Sequence, residues 1–312
     1  MSPVQEAVGP LLRSFGAVSE ARIGMHVRRL EGVRHPVADP EALARAERYV
    51  ADELDRLGYA VERHRFRDPC GDFHNVIGTR TGRLLPDKRV LVLAHFDTVA
   101  GSPGADDNAS GVAVLLELAA ALGDFLPEKT LQFVGVNLEE NGDEEVSGTG
   151  LRGSRALARL ARSEGWEIEA VVVLESVGFA AAGAVQSAPA GLPLEVPKVG
   201  DFVAVVGNER SRGVVERFIL GASGCGEGLR VVPVVVPGNG ELFRDTRRSD
   251  HAPFWDEGYP AVMLTDTTNF RSPHYHEPSD TFDTLNLAFA ASVCRATAAL
   301  LVDLTALPAT LP

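Results

Sequence analysis

Imidazole and carboxylate side chains occur in five short clusters along this 312-residue chain. Most of the clusters directly follow an apolar run, and one precedes a nearly all-apolar segment. Ligands of open α/β sheets bind beyond the strand ends, so such side chains can meet there although they are far apart in the chain. The clusters are His95 with Asp97, Asp106 with Asp107, Glu139 with Glu140, Glu175 alone, and the segment "SPHYHEPSDT" with His274 and His276.

The chemistry of these residue types indicates a metal site. Imidazole nitrogens and carboxylate oxygens together suit zinc, and carboxylates can bridge two cations. No cysteine lies near the clusters in the sequence, whereas closed structural zinc sites usually depend on thiolates. The stretch "EENGDEEVSG" also lacks the alternating oxygen ligands of an EF-hand calcium loop. The combination predicts a catalytic, dinuclear metal site.

Each cluster taken alone also has a purely structural explanation. His95 can be a buried histidine with satisfied hydrogen bonds. Asp106 and Asp107 can cap a helix, and the acidic stretch 139–145 can be a solvated loop. Against this, Glu175 ends the apolar run "AVVVL", where an unpaired carboxylate is costly to bury. The five clusters together therefore favour the metal site over five unrelated structural roles.

Hydrophobic periodicity predicts the elements that position these clusters. Asp39 and Pro40 form an N-cap and a first helical residue, apolar residues recur at helical spacing after them, and Gly58 supplies a stop. Further helical patterns cover 111–122, 150–164 and 212–221, and strand-like apolar runs cover 89–94, 131–138, 170–174, 202–206, 231–236 and 261–265. This alternation predicts an α/β fold with a mostly parallel, mixed central sheet between helices.

Composition excludes several classes of function. The net charge is −13 and the pI is near 5.1, which does not readily supply the basic face of a nucleic-acid-binding protein. The first thirty residues lack the apolar middle region of a secretory signal, and polar residues interrupt the apolar tracts 109–122 and 285–304, so we expect no membrane span. Cys70, Cys225 and Cys294 form no disulfide framework, which favours a cytoplasmic location.

Six segments, in this order, resemble the zinc-dependent exopeptidase family that contains the bacterial double-zinc aminopeptidases. They are "LVLAHFDT", "GADDNASG", "NLEENG", "LESVG", "SDHAPFW" and "HYHEPSDT". Glutamate carboxypeptidase and glutaminyl cyclase are relatives of that family. The resemblance runs from about the helix at Asp39 to the last helix, and the ordered combination is far more specific than any single motif.

The resemblance implies a ligand set for two zinc ions. His95 and Glu175 are expected to hold one ion, and Glu140 and His276 the other. Asp107 is expected to bridge them, and the peptide bond that follows this bridging aspartate is expected to be cis. Manganese or cobalt can occupy similar nitrogen and oxygen sites, so both are alternatives to zinc.

Five further residues are candidates for supporting roles. By the resemblance, Asp106 supports the bridging aspartate, and His274 becomes a candidate for the pocket wall because the family spacing selects the second histidine of "HYH" as the ligand. A metal-bound imidazole usually donates its other N–H to a carboxylate, and Asp97 is placed to accept it. Asp250 is a second buried-acid candidate, and its neighbour His251 is either a site residue or a structural partner.

The resemblance implies an aminopeptidase that hydrolyses N-terminal bonds of peptide substrates. Glu139, next to a ligand but not needed for coordination, would be the general base for a water activated by two zinc ions. Related enzymes with the same metal cluster are carboxypeptidases, N-acyl amino acid deacylases or glutaminyl cyclases. A metal-binding module without turnover is the non-enzyme alternative. The sequence carries no signal for an oligomeric state.

We expect one catalytic domain over residues 1–312, with a helical N-terminal segment. Pro- and Gly-rich pieces such as "APAGLPLEVP" and "VPGNGELF" occur in region 178–248, which we interpret as possible specificity loops. Surface connectors without a functional role give the same pattern. The stretch "GDEEVSGTG" after Glu140 is longer than the resemblance predicts.

Overall fold

One eight-stranded sheet forms the centre of the molecule in a computed structural model, which describes residues 17–141, 149–189, 191, 195–225 and 228–307. The strands are β1 (Ala60–Asp68), β2 (Gly71–Arg80), β3 (Leu85–His95), β4 (Lys129–Val136), β5 (Glu167–Glu175), β6 (Phe202–Asn208), β7 (Arg230–Val236) and β8 (Ala261–Thr265). The α-helices of the described residues are α1 (Glu20–Leu30), α2 (Pro40–Arg56), α3 (Gly111–Ala121), α4 (Arg152–Ser163), α5 (Arg212–Gly224), α6 (His251–Asp256) and α7 (Leu287–Thr305).

The sheet is mixed, with the strand order β1-β2-β4-β3-β5-β8-β6-β7. The central strands β4, β3, β5 and β8 run parallel to one another, whereas β1–β2, β2–β4 and β6–β8 pair antiparallel. The carboxyl ends of the four parallel strands therefore lie at the same edge of the sheet. The α/β fold with a mixed sheet between helices, predicted from the sequence, is confirmed.

Helices cover both faces of the sheet and bury it. On one face, α1, α2, α3, α5 and α7 form the larger core, which includes Leu54, Leu116 and Leu300. On the other face, α4 and α6 pack a smaller core around Leu157 and Trp255. Because β3 and β5 are buried on both faces, their residues form continuous apolar runs in the sequence.

Local sequence signals explain where the predicted helices begin and end. The Asp39 side chain accepts a hydrogen bond from the backbone N–H of Ala42 at 2.8 Å, and Pro40 is the first residue of α2. Gly58, with φ of +81°, turns the chain after α2 in the left-handed region that glycine tolerates. The helix predicted over 212–221 extends to Gly224, and the strand predicted over 131–138 ends at Val136.

The sequence analysis missed the hairpin of β1 and β2 at one edge of the sheet. Strand β1 reads "AVERHRFRD", and most of its residues are exposed or half-buried, so it lacks the apolar run that marks the central strands. Helix α7 has the length and composition of a membrane span, yet most of it is buried against other helices and the sheet. Cys70 and Cys294 are free thiols.

Candidate metal centre

His95, Asp107 and Glu175 form a buried set of donors that we call the inner group. His95 is the last residue of β3 and Glu175 is the last residue of the adjacent strand β5. The Nε2 atom of His95 lies 3.2 Å from Oδ1 of Asp107 and 3.5 Å from Oε2 of Glu175. The ligand atoms of the three residues all lie within 4.8 Å of one another, which is close enough to surround one cation.

Asp107, Glu140 and His276 form a second set, which we call the outer group. Their ligand atoms also lie within 4.8 Å of one another. The Nε2 atom of His276 is 3.4 Å from Oδ2 of Asp107 and 3.4 Å from Oε1 of Glu140. Asp107 therefore presents one carboxylate oxygen to each group. All five predicted ligands meet at this point, which is the geometry that a bridging carboxylate requires.

Several of these donor atoms are buried without a hydrogen-bond partner among the described residues. They are Nε2 of His95, Oδ1 of Asp107, Oε1 of Glu140 and Nε2 of His276. Buried polar atoms nearly always have a partner, so four such atoms facing one another need an explanation. A pair of cations bound by nitrogen and oxygen ligands satisfies all four, and the residues present therefore fit zinc.

Asp97 contacts His95 of the inner group and the backbone of Glu140 of the outer group. Its Oδ1 atom lies 3.4 Å from Nδ1 of His95, on the side of the ring that faces away from the inner group. Its two oxygens also accept hydrogen bonds from the backbone N–H groups of Glu139 and Glu140, at 3.1 Å each. Burial opposes ionisation of Asp97, but His95 and these N–H groups lower its pKa. One carboxylate thus contacts a candidate ligand and fixes the loop after β4.

The loop ahead of α3 is held at the bridging position by a carboxylate from a distant part of the chain. The backbone N–H groups of Asp106 and Asp107 donate to the two oxygens of Asp280, at 2.8 and 3.1 Å. The Asp106 side chain accepts a hydrogen bond from the N–H of Gly178 at 2.9 Å, so it braces the loop and points away from the ligand sets. The peptide bond between Asp107 and Asn108 is cis, as expected.

The pKa values of Glu140 and His276, two members of the outer group, are both raised. Burial and the charge of Asp107 raise the pKa of Glu140 to about 7. Burial opposes protonation of His276, but Asp107 and Glu140 outweigh it and raise the pKa of this histidine to about 10. The metal-free cluster thus offsets its negative charge by holding protons, which a bound cation would displace.

Glu139 belongs to neither group but lies beside both. It is buried and lines the same cavity as Asp107, Glu140 and Glu175. Burial raises its pKa well above the usual range, and the charges of Glu175 and Glu140 add to this effect against the opposing imidazole of His95. A carboxyl group of raised pKa next to two sets of metal donors is suited to proton transfer.

The remaining sequence candidates lie around the cluster. Asp250 is fully buried, and burial raises its pKa to about 7. His251 is a structural partner: its Nε2 atom lies 2.8 Å from the carbonyl oxygen of Thr246 and its ring stands edge-on to Trp255. His274 lies outside both donor groups, with its Nδ1 atom 2.9 Å from the hydroxyl of Ser279.

Three residues that position the centre were not identified from the sequence. Ser249 donates a hydrogen bond of 2.6 Å to Oε2 of Glu175, and Asp280 holds the bridging loop as described above. Arg34 is fully buried and donates to backbone carbonyls that include that of Gly104, and burial lowers its pKa to about 10. The first two lie inside the quoted segments "SDHAPFW" and "HYHEPSDT", whereas no motif marks the arginine.

Two cavities meet at Glu139 and Glu140. The apolar pocket, of about 90 Å³, reaches across the faces of β6, β7 and β8. Its apolar lining includes Val196, Phe202, Val206, Val232, Val234 and Met263. The second cavity, of about 590 Å³, lies between the ends of α4 and α6 and is bordered by Arg155, Arg244, Arg247 and Arg248. We call it the arginine cleft. Residues 142–148 of the stretch after Glu140, and residues 190, 192–194 and 226–227 of region 178–248, lie outside the described residues.

A family model described as peptidase family M28 matches residues 75–215 and 231–301. The uncharacterised protein YfbL of Escherichia coli is 30% identical over 286 residues, which cover 86% of this chain and 83% of that protein. A probable zinc metalloprotease of Pyricularia oryzae is 27% identical over 323 residues, which cover 88% of this chain. The match covers only 61% of the fungal protein's length.

Solved structures share the fold. The LapA aminopeptidase of Legionella pneumophila superposes with a TM-score of 0.70 at 17% identity, covering 97% of this chain and 75% of that chain. The glutaminyl cyclase of Macrostomum lignano superposes with a TM-score of 0.74 at 19% identity, covering 93% of this chain and 91% of that chain. Because enzymes with two different named activities match equally well, the fold alone does not choose between them.

Proposed function

This chain belongs to peptidase family M28 and is a zinc metallopeptidase, and from that premise we propose that it is an aminopeptidase that holds two zinc ions and uses Glu139 as its general base. One observation carries the proposal. The two oxygens of Asp107 face two separate sets of donors, and Glu139 lies beside both sets without belonging to either. Such an arrangement fits two cations that share one ligand, with a free carboxylate next to them.

In the proposed hydrolysis, Glu139 transfers protons and Asp97 positions Glu139. When bound, zinc polarises the scissile carbonyl and lowers the pKa of a coordinated water toward about 7. Glu139 takes the proton of the attacking water and then delivers it to the leaving amine. The raised pKa of its carboxyl group suits a residue that must both accept and release a proton. Asp97 holds the backbone of Glu139 in place during both steps.

The apolar pocket is the proposed binding site for the N-terminal side chain of the substrate. It begins at the metal-binding carboxylates and is lined by valines of β6 and β7, with Phe202 and Met263. Most of its apolar lining comes from region 178–248, which we therefore propose to determine specificity. Burial of an apolar side chain there contributes about 1.5–3 kcal/mol, so we expect a preference for apolar N-terminal residues.

Replacement of Glu139 by Gln tests the general base. The change keeps the size of the side chain but removes its capacity to take up a proton. We expect the purified variant to retain about two zinc ions per chain and to lose activity on aminoacyl substrates by about 10²- to 10⁴-fold. Glu62→Gln, at an exposed position of β1, is the matched control. Full activity in Glu139→Gln with normal zinc content contradicts the mechanism.

A substrate panel separates the alternatives that share this metal cluster. It contains aminoacyl, C-terminally unblocked N-acyl-dipeptide, N-acyl amino acid and N-terminal glutaminyl substrates, and each of the four classes reports one activity. The proposal requires that aminoacyl substrates are turned over fastest. A faster reaction with any other class assigns the centre to carboxypeptidase, deacylase or cyclase chemistry, and bound zinc without turnover in any class indicates a metal-binding module.

A further inference from the structure

Four arginines border the cleft beside the metal centre, although the whole chain carries a net charge of −13. The arginine cleft shares Glu139, Glu140 and His276 with the centre. Among the described residues, four arginines line it together with four carboxylates, which are Glu139 and Glu140 at the centre and Asp245 and Asp256. Beyond five shared residues, the apolar pocket is lined largely by β6, β7 and β8, whereas the cleft is lined by α4, α6 and loops, so the cleft offers a second place next to the centre for the part of the substrate that leaves.

The four arginines are not equivalent. Arg247 is neutralised, because its Nη2 atom donates to both oxygens of Asp256 at 2.9 Å. Arg248 is held instead by neutral groups: Nη1 donates to the side-chain oxygen of Asn269 at 2.9 Å and Nη2 to the hydroxyl of Tyr275 at 2.8 Å. Its ion-pair partner among the described residues, Asp245, lies at 3.9 Å. Arg248 is therefore oriented by hydrogen bonds to neutral groups rather than by a close ion pair among the described residues.

Arg248 also lies where the two cavities join. Both Arg248 and Tyr275 line the apolar pocket as well as the arginine cleft. The ring of Tyr275 stacks on the ring of His276, with centroids 3.8 Å apart and an interplanar angle of 19°. A group bound to Arg248 is thus separated from a candidate metal ligand by one aromatic side chain, which is close to where the scissile bond must lie.

We propose that Arg248 binds a carboxylate on the leaving-group side of the substrate, so that the preferred substrates are peptides with a negative charge next to the scissile bond. The inference rests on the proposed aminopeptidase function and deepens it. A guanidinium oriented by neutral partners can form paired, charge-assisted hydrogen bonds with a carboxylate. The carboxylate is supplied either by the C-terminus of a dipeptide or by an acidic side chain after the N-terminal residue.

Three substrates distinguish these sources: Leu–Ala, Leu–Asp amide and Leu–Ala amide. They carry a terminal carboxylate, a side-chain carboxylate and no carboxylate, respectively. We expect kcat/KM of the zinc-loaded enzyme to be at least about tenfold higher for one of the first two than for Leu–Ala amide. Equal values for all three overturn the inference and leave the aminopeptidase proposal intact.

Substitution of the arginine tests whether it is responsible. Arg248→Gln is expected to lower kcat/KM for the preferred carboxylate peptide by about 10- to 100-fold more than for Leu–Ala amide. Arg248→Lys keeps the charge and is expected to restore part of the loss. Arg217→Gln removes a half-exposed arginine of α5 that pairs with Asp303 and is the matched control.

A structural role of Arg248 predicts a different result. If the arginine only supports Tyr275 and His276, its loss lowers the hydrolysis of all three peptides equally and lowers zinc content as well, which overturns the inference. If none of the peptides is hydrolysed, the aminopeptidase proposal fails. Calorimetric titration of the uncleaved Leu–Ala and Leu–Ala amide then tests the subsite, which requires tighter binding of the free carboxylate by the native protein but not by Arg248→Gln.

Discussion

The inner and outer groups of the candidate metal centre share Asp107 but differ in what surrounds them. In the inner group, His95 and Glu175 are the last residues of adjacent parallel strands and almost completely buried. In the outer group, His276 lies on the long connection after β8, with a φ of +60° and a side chain that is 28% exposed. One position is built on the sheet, whereas the other is completed by a loop.

From this difference we predict that the two positions, if both are occupied, bind a cation with unequal strength. Side chains on the ends of buried strands are held by packing and by neighbouring hydrogen bonds, such as that from Ser249 to Glu175. A half-exposed loop histidine gains less from packing and exchanges more easily with water. We therefore expect the inner position to bind zinc first and to release it last.

Removal of the shared ligand is expected to have the largest effect. Asp107→Asn keeps the shape of the side chain but removes the negative charge that faces both groups. We expect zinc content well below two ions per chain. Loss of a residue that only supports a metal ligand typically lowers affinity or activity by about 10- to 100-fold, and we expect a larger loss of activity here. Elemental analysis after dialysis and aminoacyl hydrolysis measure the two effects.

Asp124→Asn, at an exposed position after α3, serves as the control for Asp107→Asn. The comparison of the two groups assumes that the Asp107 carboxylate is a ligand in both. If Asp107→Asn still binds two zinc ions with native affinity, the groups do not share Asp107.

Separate removal of the two histidines tests the inequality itself. His276→Ala is expected to leave about one zinc ion per chain, because the inner group remains complete. His95→Ala is expected to disturb zinc binding more and also to destabilise the metal-free fold by about 1–3 kcal/mol, because it leaves the buried Asp97 without its imidazole. Elemental analysis and thermal unfolding of the metal-free variants measure both effects.

His274→Ala is the matched control, since this histidine lies in the same segment but outside both groups. Unchanged zinc content in His276→Ala together with a loss in His274→Ala moves the outer ligand to His274. Equal zinc loss and equal destabilisation in His95→Ala and His276→Ala contradict the difference between the two positions.

The same contrast explains how much of the centre could be predicted from the sequence. The inner ligands directly follow apolar runs, so strand periodicity alone placed His95 and Glu175 at one edge of the sheet. His276 required the family resemblance, because no local pattern distinguishes it from His274. Asp280 could not be predicted as the brace of the bridging loop, since its contact with the N–H of Asp106 joins residues 174 positions apart.

Burial also explains which strands could be predicted from the sequence. Strands buried on both faces leave continuous apolar runs, and β3, β5 and β8 were found in this way. The β1–β2 hairpin lies at an edge, where charged side chains such as Arg63 and Arg65 remain in water and hide the strand pattern. The arginine cleft joins α4, α6 and three loops, so no single stretch of sequence shows that its arginines meet.

Loss of the hydrogen bond from Ser249 to Glu175 is expected to have the smallest effect, confined to the inner position. Ser249→Ala removes the donor 2.6 Å from Oε2 but leaves every ligand in place. Loss of such a supporting contact typically weakens metal binding by about 10- to 100-fold. Competition with a chelator is expected to show weaker binding of the tighter ion and nearly native binding of the weaker one, so that the two affinities converge.

Ser279→Ala, which removes the hydroxyl beside His274, is the control for the serine substitution. Selective weakening of the tighter ion in Ser249→Ala assigns that ion to the sheet-built position, because the hydroxyl contacts a ligand of the inner group only. Selective weakening of the looser ion reverses the assignment. In that case the burial of the ligand side chains does not determine the zinc affinity of the two positions. The charges of the groups around Asp107 are then the remaining difference between them.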